Sequence, residues 1–110
     1  MNIEPGQIYF APIELKQAKY ARPFIVLRIL AGEAIICCMS TKFELKQSTD
    51  LTLHSSEVTF PSTGLKEDSY LVFRSIHAEP LELFQTAKWL GCVEGDVKRR
   101  VEEWWGEPLG

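Results

Sequence analysis

Two apolar runs separated by a turn signal form the clearest pattern along the chain. Phe24 to Leu30 and Ala34 to Met39 are rich in β-branched and other apolar residues, and Gly32-Glu33 lies between them. Apolar runs of this length joined by a short connection that contains glycine are typical of a β-hairpin. We therefore expect two adjacent antiparallel strands here, with the rest of the chain arranged around them.

Shorter runs with strand character flank this hairpin. Gln7 to Pro12 predicts a first strand that Pro12 ends, and Asp50 to Leu53 alternates polar and apolar positions as a half-buried strand does. Ser69 to His77 is almost continuously apolar, which favours one long central strand, followed by Pro80 as its terminator. Thr86 to Cys92 predicts the last strand.

Three further segments are expected to connect these strands. Ile13 to Tyr20 is basic and poorly periodic, so we expect a loop that lies over the hairpin. Lys42 to Thr49 is polar apart from Phe43 and predicts a mobile connection. Leu81 to Phe84 follows a proline, which suits the start of a single helical turn.

The period of apolar positions changes near the C-terminus. From Val93 to Trp105 apolar residues recur every three to four positions between charged ones, which predicts an amphipathic helix that Gly106 and Pro108 end. Strands followed by one terminal helix predict a mainly β (β+α) domain, with a strongly bent antiparallel sheet or small barrel on which the helix packs. We expect a single domain over residues 1–110.

Composition and length are those of an ordinary globular domain. The 110 residues are 45% hydrophobic and 25% charged. No apolar run approaches the roughly 18 residues that span a bilayer, and the first residues lack a signal-peptide pattern. We therefore expect a cytoplasmic protein that does not associate with membranes.

The cysteines and histidines do not predict a metal or cofactor site. Cys37 and Cys38 are adjacent on a predicted strand, so their side chains point to opposite faces and cannot chelate one ion. Cys92 stands alone, and the histidines are His54 and His77. No spacing typical of metal ligands occurs, and we expect Cys37 and Cys38 to be small buried side chains.

The net charge of −3 is unevenly distributed. Residues 1–47 contain six Lys or Arg and four acids, whereas the remainder contains six and eleven. We therefore expect a polyanion to bind to the first half of the chain. The cations there flank the predicted hairpin: Lys16, Lys19, Arg22, Arg28, Lys42 and Lys46. Lys98 to Arg100 lie between acidic residues of the predicted helix and are interpreted as a solvated helix face.

Arg22 and Ser40 form the candidate site of this hairpin. Arg22 opens the first strand and Ser40 closes the second, so a hairpin brings both residues to the same rim of the sheet. A guanidinium offers five N–H donors that match phosphate oxygens, and a neighbouring hydroxyl can also donate. The sequence is compatible with a phosphate site here, or with an exposed arginine and strand-end hydroxyls that bind nothing.

Five motifs in order resemble the MazF/PemK/Kid family of bacterial toxins. They are P-G-Q-I-Y-F, A-R-P-F-I-V-L, A-I-I-C-C-M-S-T, G-L-K-E-D-S-Y-L-V-F-R-S-I and K-W-L-G-C-V before a helix, and they span nearly the whole chain. The resemblance implies an SH3-like barrel with a C-terminal helix. It also implies a homodimer, and a type II toxin that a cognate antitoxin protein neutralises.

The same resemblance implies an endoribonuclease that cleaves single-stranded RNA without a metal or cofactor. The 2′-hydroxyl attacks its own phosphate and leaves a 2′,3′-cyclic phosphate. The family's arginine falls on Arg22, and its strand-end hydroxyl falls on Ser40 with Thr41 adjacent. The remaining candidate residues are expected to bind RNA: Lys16, Gln17, Lys19, Tyr20, Lys42 and His77. His77 is also a candidate general base.

Two positions depart from the family pattern and define an alternative. Many members carry an acid where this chain has Gln17, and they read Gln-Ile-Arg-Thr where it has Ser75 to Ala78. The alternative is a catalytically degenerate member that binds a protein partner, or a gyrase-poison-like toxin whose determinants include a C-terminal tryptophan. Trp104 and Trp105 are the tryptophans to consider for that function.

Overall fold

A computed structural model of the chain describes residues 2–15 and 18–110, without the side chains of residues 15, 18 and 19. The described residues form seven strands and one α-helix: β1 (Gln7–Leu15), β2 (Ala18–Leu30), β3 (Glu33–Ser40), β4 (Leu51–Leu53), β5 (Ser69–Leu71), β6 (His77–Pro80), β7 (Lys88–Cys92) and α1 (Gly95–Trp105). The strands pair antiparallel in the order β4-β5-β3-β2-β1-β7, with β6 beside β3. The predicted mainly β, small barrel-like fold with a C-terminal helix is confirmed.

The predicted hairpin is the centre of this sheet. β2 and β3 pair from Leu30 opposite Glu33 to Phe24 opposite Cys38. Gly32 adopts a φ of +77° in the turn, a conformation that glycine adopts without steric strain. Three of the other strands, β1, β5 and β6, pair directly with this hairpin, so it positions most of the sheet.

The predicted loop over Ile13 to Tyr20 is wrong, because β1 continues through Pro12 to Leu15 and pairs with β2 from Ala18 onward. Proline lacks an N–H donor and is tolerated in a strand where no neighbour needs that donor. β7 pairs with β1 only as far as Phe10, so Pro12 lies beyond that neighbour. Ile13 is 1% exposed, which shows that this part of the strand contributes to the core.

The predicted long strand from Ser69 to His77 is also wrong, because a 3₁₀ turn at Phe73–Ser75 divides it. Both halves lie along the same edge of β3: β5 pairs at Met39 and Ser40, and β6 pairs from Ile36 to Glu33. Ile36 pairs with His77 and Met39 pairs with Leu71. The two pairs are three residues apart on β3 but six residues apart on the partner segment. The extra residues form the turn and leave Phe73 and Arg74 exposed.

Short 3₁₀ turns occupy other connections. One at Leu81–Gln85 confirms the predicted helical turn, and another at Phe43–Leu45 lies within the predicted connection Lys42 to Thr49. The strands predicted at Asp50 to Leu53 and Thr86 to Cys92 are present as β4 and β7, with bounds that are one or two residues shorter.

Two hydrophobic clusters cover opposite faces of the sheet. One lies under α1 and includes Cys37, Val97 and Val101, and the other contains Cys38 and Phe84. Cys37 and Cys38 are both 0% exposed and belong to different clusters, which confirms that they point to opposite faces.

α1 begins two residues later than predicted. The N–H of Val93 donates to the carbonyl of Gly6 at 2.9 Å, so the backbone of Val93 is bonded to the residue before β1 and is not yet helical. The helix ends where Gly106 takes a left-handed φ of +91°. Arg100 binds Glu57 and donates to the Thr52 carbonyl at 2.7 Å, which attaches the helix to β4.

Candidate functional site

An open groove of about 1200 Å³ lies between the start of β2, the end of β3 and the turn that follows β5. We call it the Arg22 groove. The residues that line it include Arg22, Ser40, Thr41, Lys42 and Tyr20, all predicted from the sequence, and also Arg74 and Ser75. The hairpin therefore brings the predicted catalytic residues to one groove.

The Arg22 groove is positively charged. The residues that line it include Arg22, Lys42 and Arg74 and, within residues 2–15 and 18–110, no aspartate or glutamate. The whole chain has a net charge of −3, so the groove differs in sign from the rest of the protein. A concave surface lined by one sign of charge concentrates ligands of the opposite sign.

Arg22 is placed at this groove by the register of the hairpin. The last β2–β3 pair joins Phe24 and Cys38, so Arg22 and Ser40 each lie two residues beyond the paired part of the hairpin. The guanidinium carbon lies 5.2 Å from the centroid of the Tyr20 ring, within the distance of a cation–π interaction.

The Arg22 guanidinium has no hydrogen-bond or ion-pair partner among the described residues. Its Nε is shielded from solvent and has no hydrogen-bond partner in the described part of the chain. A shielded polar group without a partner is uncommon in native structures and occurs at functional sites. The guanidinium forms no ion pair with a described residue either.

The end of β3 is a corner held by hydrogen bonds. Ser40 Oγ accepts the Lys42 N–H at 3.1 Å, and the Tyr70 hydroxyl donates to the Lys42 carbonyl at 3.0 Å. Ser40 also pairs with Tyr70 across β3 and β5. Because Ser40 Oγ accepts from the backbone, its own hydroxyl proton can be donated to an anion. Thr41 is exposed beside it.

Sequence reasoning missed Arg74 and Ser75 because it placed them inside a continuous strand. Ser75 Oγ accepts the Cys38 N–H at 2.8 Å and donates to the Val72 carbonyl at 2.7 Å. The Val72 N–H donates to the Cys38 carbonyl at 2.9 Å, so the turn satisfies both backbone groups of Cys38. A charged residue followed by serine within an apolar run was the available signal for this turn.

His77 does not line the groove. Its Nδ1 lies 2.6 Å from the Ser75 carbonyl, and its Nε2 lies 2.5 Å from a carboxylate oxygen of Glu79. Both ring nitrogens therefore lie within hydrogen-bond distance of an oxygen that can accept a hydrogen bond. His77 is absent from the lining of the Arg22 groove, and the base function predicted for it stays a prediction.

The remaining predicted RNA-binding residues differ in what the structure describes. Lys16 and Gln17 lie outside the described residues. Lys19 pairs with Glu14 through the backbone of β2, and its side chain is not described. Tyr20 is 59% exposed in the groove, and Lys42 is exposed beside it. The RNA contacts of these residues stay predictions.

None of the three thiols has the character of a nucleophile. Burial raises the pKa of Cys38 to about 11, although the positive charge of Arg22 acts in the opposite direction. Burial also raises the pKa of Cys37, further than that of Cys38. The pKa of Cys92 is raised by burial and by Glu94. A thiol needs a lowered pKa to be reactive near neutral pH, so we assign no chemistry to these residues.

The C-terminal tryptophans are half-buried. Trp104 donates its indole N–H to the Thr49 carbonyl at 2.7 Å and meets the Phe73 ring edge-on at 5.9 Å between centroids. Trp105 packs against the cluster under α1. The contacts of Trp104 attach the helix to the turn that follows β5.

A second cavity, of about 380 Å³, lies between the N-terminal turn and the start of α1. It contains Glu4, Glu94 and Lys98, so charges of both signs face it. It lacks the single-sign lining of the Arg22 groove and is the weaker candidate for an anion site.

Comparisons with known proteins leave the family open. No protein-family model matches the chain, and a search of curated proteins found no match. The likeness to the MazF/PemK/Kid family therefore stays a prediction based on the motifs. Among the described residues, no group of three or more His, Cys, Asp or Glu is arranged to hold a metal ion. The same residues contain no helix with the length and apolar character needed to cross a membrane.

Proposed function

We propose that this chain is an endoribonuclease that cleaves single-stranded RNA without a metal ion and acts as the toxin of a type II toxin–antitoxin system. One observation carries the proposal: Arg22, whose guanidinium has no acceptor among the described residues, lines a cationic groove together with Ser40. The order of motifs along the sequence supports the family and hence the reaction.

In the proposed reaction, the RNA supplies its own nucleophile. The 2′-oxygen attacks the adjacent phosphorus, the bond from phosphorus to the 5′-oxygen breaks, and the products are a 2′,3′-cyclic phosphate and a free 5′-hydroxyl. Negative charge increases on the non-bridging oxygens during this step. Arg22 stabilises that charge through its N–H donors, and Ser40 and Thr41 orient the phosphate with their hydroxyls.

Two protons move in this reaction, one from the 2′-hydroxyl and one to the 5′-oxygen. No imidazole or carboxylate lines the groove in the described part of the chain. We therefore assign proton delivery to the Arg22 guanidinium and removal of the 2′ proton to water. Removal of one preorganised donor from a site of this kind lowers kcat by about 10²–10³-fold.

RNA cleavage by Arg22→Ala tests the proposal. A long single-stranded RNA is incubated with purified protein in EDTA, and the 3′ ends of the fragments are examined for cyclic phosphate. We expect wild type to produce discrete fragments and Arg22→Ala to lose at least about 100-fold of the rate. Arg99→Ala is the matched control, because Arg99 is exposed on α1 and pairs with Asp96 at 3.1 Å, outside the groove.

The same assay decides the alternative, a relative that binds a protein and cleaves nothing. The observation that favours this alternative is the absence of an imidazole or carboxylate from the described lining, together with the bonds that occupy both nitrogens of His77. An intact RNA after incubation with folded wild type would refute the enzyme and support the binding module.

The proposed partners follow from the family resemblance. They are single-stranded RNA, a cognate antitoxin protein and a second copy of the chain, all in the cytoplasm. Co-expression with the product of a neighbouring reading frame tests the antitoxin, since a toxin should then arrest growth only when expressed alone. Sedimentation of the purified chain tests the homodimer.

A further inference from the structure

Arg74 reaches the Arg22 groove because the strand partner of β3 is interrupted. β5 and β6 share one edge of β3, and the 3₁₀ turn between them adds residues that the edge does not need for pairing. Interruptions of this kind occur next to functional sites, where they redirect a side chain. Here the turn exposes Arg74 at the groove, whereas Ser75, the next residue, is 5% exposed.

The turn that carries Arg74 is held firmly in position. Val72, which precedes the turn, and Ser75, its last residue, bond both backbone groups of Cys38, at 2.9 Å and 2.8 Å. Its first residue, Phe73, donates its N–H to a carboxylate oxygen of Asp50 at 2.8 Å, and Asp50 is 8% exposed. Cys38 is in turn paired with Phe24, two residues from Arg22. The backbones that carry Arg22 and Arg74 are therefore connected through one buried residue.

Pairing with acids separates the arginines of the chain into two groups. Arg28 contacts Glu107 at 3.5 Å, Arg99 contacts Asp96 at 3.1 Å, and Arg100 contacts Glu57. Arg22 and Arg74 have no acidic partner within residues 2–15 and 18–110, and both line the Arg22 groove. The arginines without a partner are thus the ones that face a common space.

The size of the groove fits more than one nucleotide. Its volume of about 1200 Å³ exceeds the roughly 300–1000 Å³ of pockets for drug-sized ligands. Apolar surface is also present, because Tyr20 is 59% exposed and Leu45 is 55% exposed at its edge. Aromatic and apolar surfaces beside cations are typical of grooves for single-stranded nucleic acids.

We propose that Arg74 binds the phosphate next to the one that Arg22 binds, so that the groove holds two consecutive phosphates of a single-stranded RNA. This inference rests on the proposed function and names a second phosphate contact in the same site. Arg22 then contacts the reacting phosphate, and Arg74 fixes the register of the strand in the groove.

Binding of short oligonucleotides tests the assignment directly. Fluorescence anisotropy is measured with labelled oligonucleotides of randomised base sequence whose 2′-hydroxyls are replaced by fluorine, which removes the nucleophile and prevents cleavage. A trinucleotide contains two bridging phosphates and a dinucleotide contains one. We expect Arg74→Ala to weaken binding of the trinucleotide by about tenfold or more and to leave dinucleotide binding as in wild type.

A salt titration with a longer oligonucleotide gives a second readout. Loss of one phosphate contact lowers the slope of log affinity against log salt by about 0.7 for a single strand. We expect this change in Arg74→Ala but not in Arg74→Lys, which keeps the charge, nor in Arg99→Ala. Circular dichroism establishes that each variant is folded before the comparison.

The possible failures are distinguishable. If wild type binds no single-stranded oligonucleotide at low salt, the proposed function and this inference both fail. If wild type binds but Arg74→Ala matches Arg99→Ala in affinity and slope, Arg74 is not a phosphate contact, whereas the function assigned to Arg22 stands. If Arg74→Ala weakens dinucleotide and trinucleotide equally, the two-phosphate assignment is overturned.

Discussion

Substitution of Ser75 by alanine tests whether one hydroxyl holds the turn beside the groove. Cys38 is 0% exposed, and its N–H donates to Ser75 Oγ at 2.8 Å. Without that hydroxyl the buried N–H has no acceptor, and an unsatisfied buried donor costs about 1–3 kcal/mol. The Val72 carbonyl also loses a donor at 2.7 Å, although it keeps the Ser75 N–H at 2.9 Å. We therefore expect a loss of about 1–3 kcal/mol in the free energy of unfolding.

Urea denaturation measures this loss. With a slope of about 1–3 kcal/mol per molar for a small domain, the midpoint should fall by roughly 1 M. Ser48→Ala is the matched control, because Ser48 is exposed and such substitutions change stability by less than about 0.5 kcal/mol. Hydrogen exchange of the Cys38 amide should also accelerate in Ser75→Ala, because the free energy of local opening is then lower.

Equal midpoints for Ser75→Ala and Ser48→Ala would refute the reasoning, because the hydroxyl would then contribute no more than an exposed one. The effect on RNA binding is a further consequence. A turn released from Cys38 presents Arg74 less firmly, so Ser75→Ala should weaken binding of the two-phosphate oligonucleotide in the direction expected for Arg74→Ala.

Two further predictions concern stability. Gly64 and Gly32 both have positive φ, but a Cβ on Gly64 would lie 2.1 Å from a backbone oxygen of β7 and one on Gly32 meets nothing within 4 Å. Gly32→Ala should therefore cost about 1–2 kcal/mol, whereas Gly64→Ala should fail to fold or melt far lower in a thermal scan. Burial raises the pKa of the Cys38 thiol to about 11 from its ordinary value of 9.0. The unfolded chain therefore loses the Cys38 thiol proton at a lower pH than the folded chain does. As a result, the free energy of unfolding falls by roughly 2–3 kcal/mol between pH 9 and 11. Urea midpoints over that range should fall less steeply in Cys38→Ala, and parallel curves would contradict the assignment.

Local sequence was sufficient for the hairpin, for the helix and for the position of Arg22 and Ser40 at one groove. Alternating and helical periods depend on neighbouring residues, so β3, α1 and the end of β2 could be predicted within a few residues, whereas β2 begins at Ala18, well before the apolar run at Phe24. Counting from the turn at Gly32 brings Arg22 opposite Thr41, and a bulge between Val26 and Arg28, which the sequence did not predict, shifts the register by one residue toward Ser40. The cationic character of this half of the chain was also available from composition.

Only the tertiary structure decided which strand edges were occupied and where pairing stopped. Pro12 remains in β1 because β7 ends its pairing at Phe10, and no local pattern contains that fact. The run from Ser69 to His77 has the composition of one strand, yet it is divided because its two ends pair with different parts of β3. The position of Arg74 at the groove follows from that division. A strand's partner is set by residues distant in the chain, so periodicity predicts the element and the assembled sheet determines which side chains share a site.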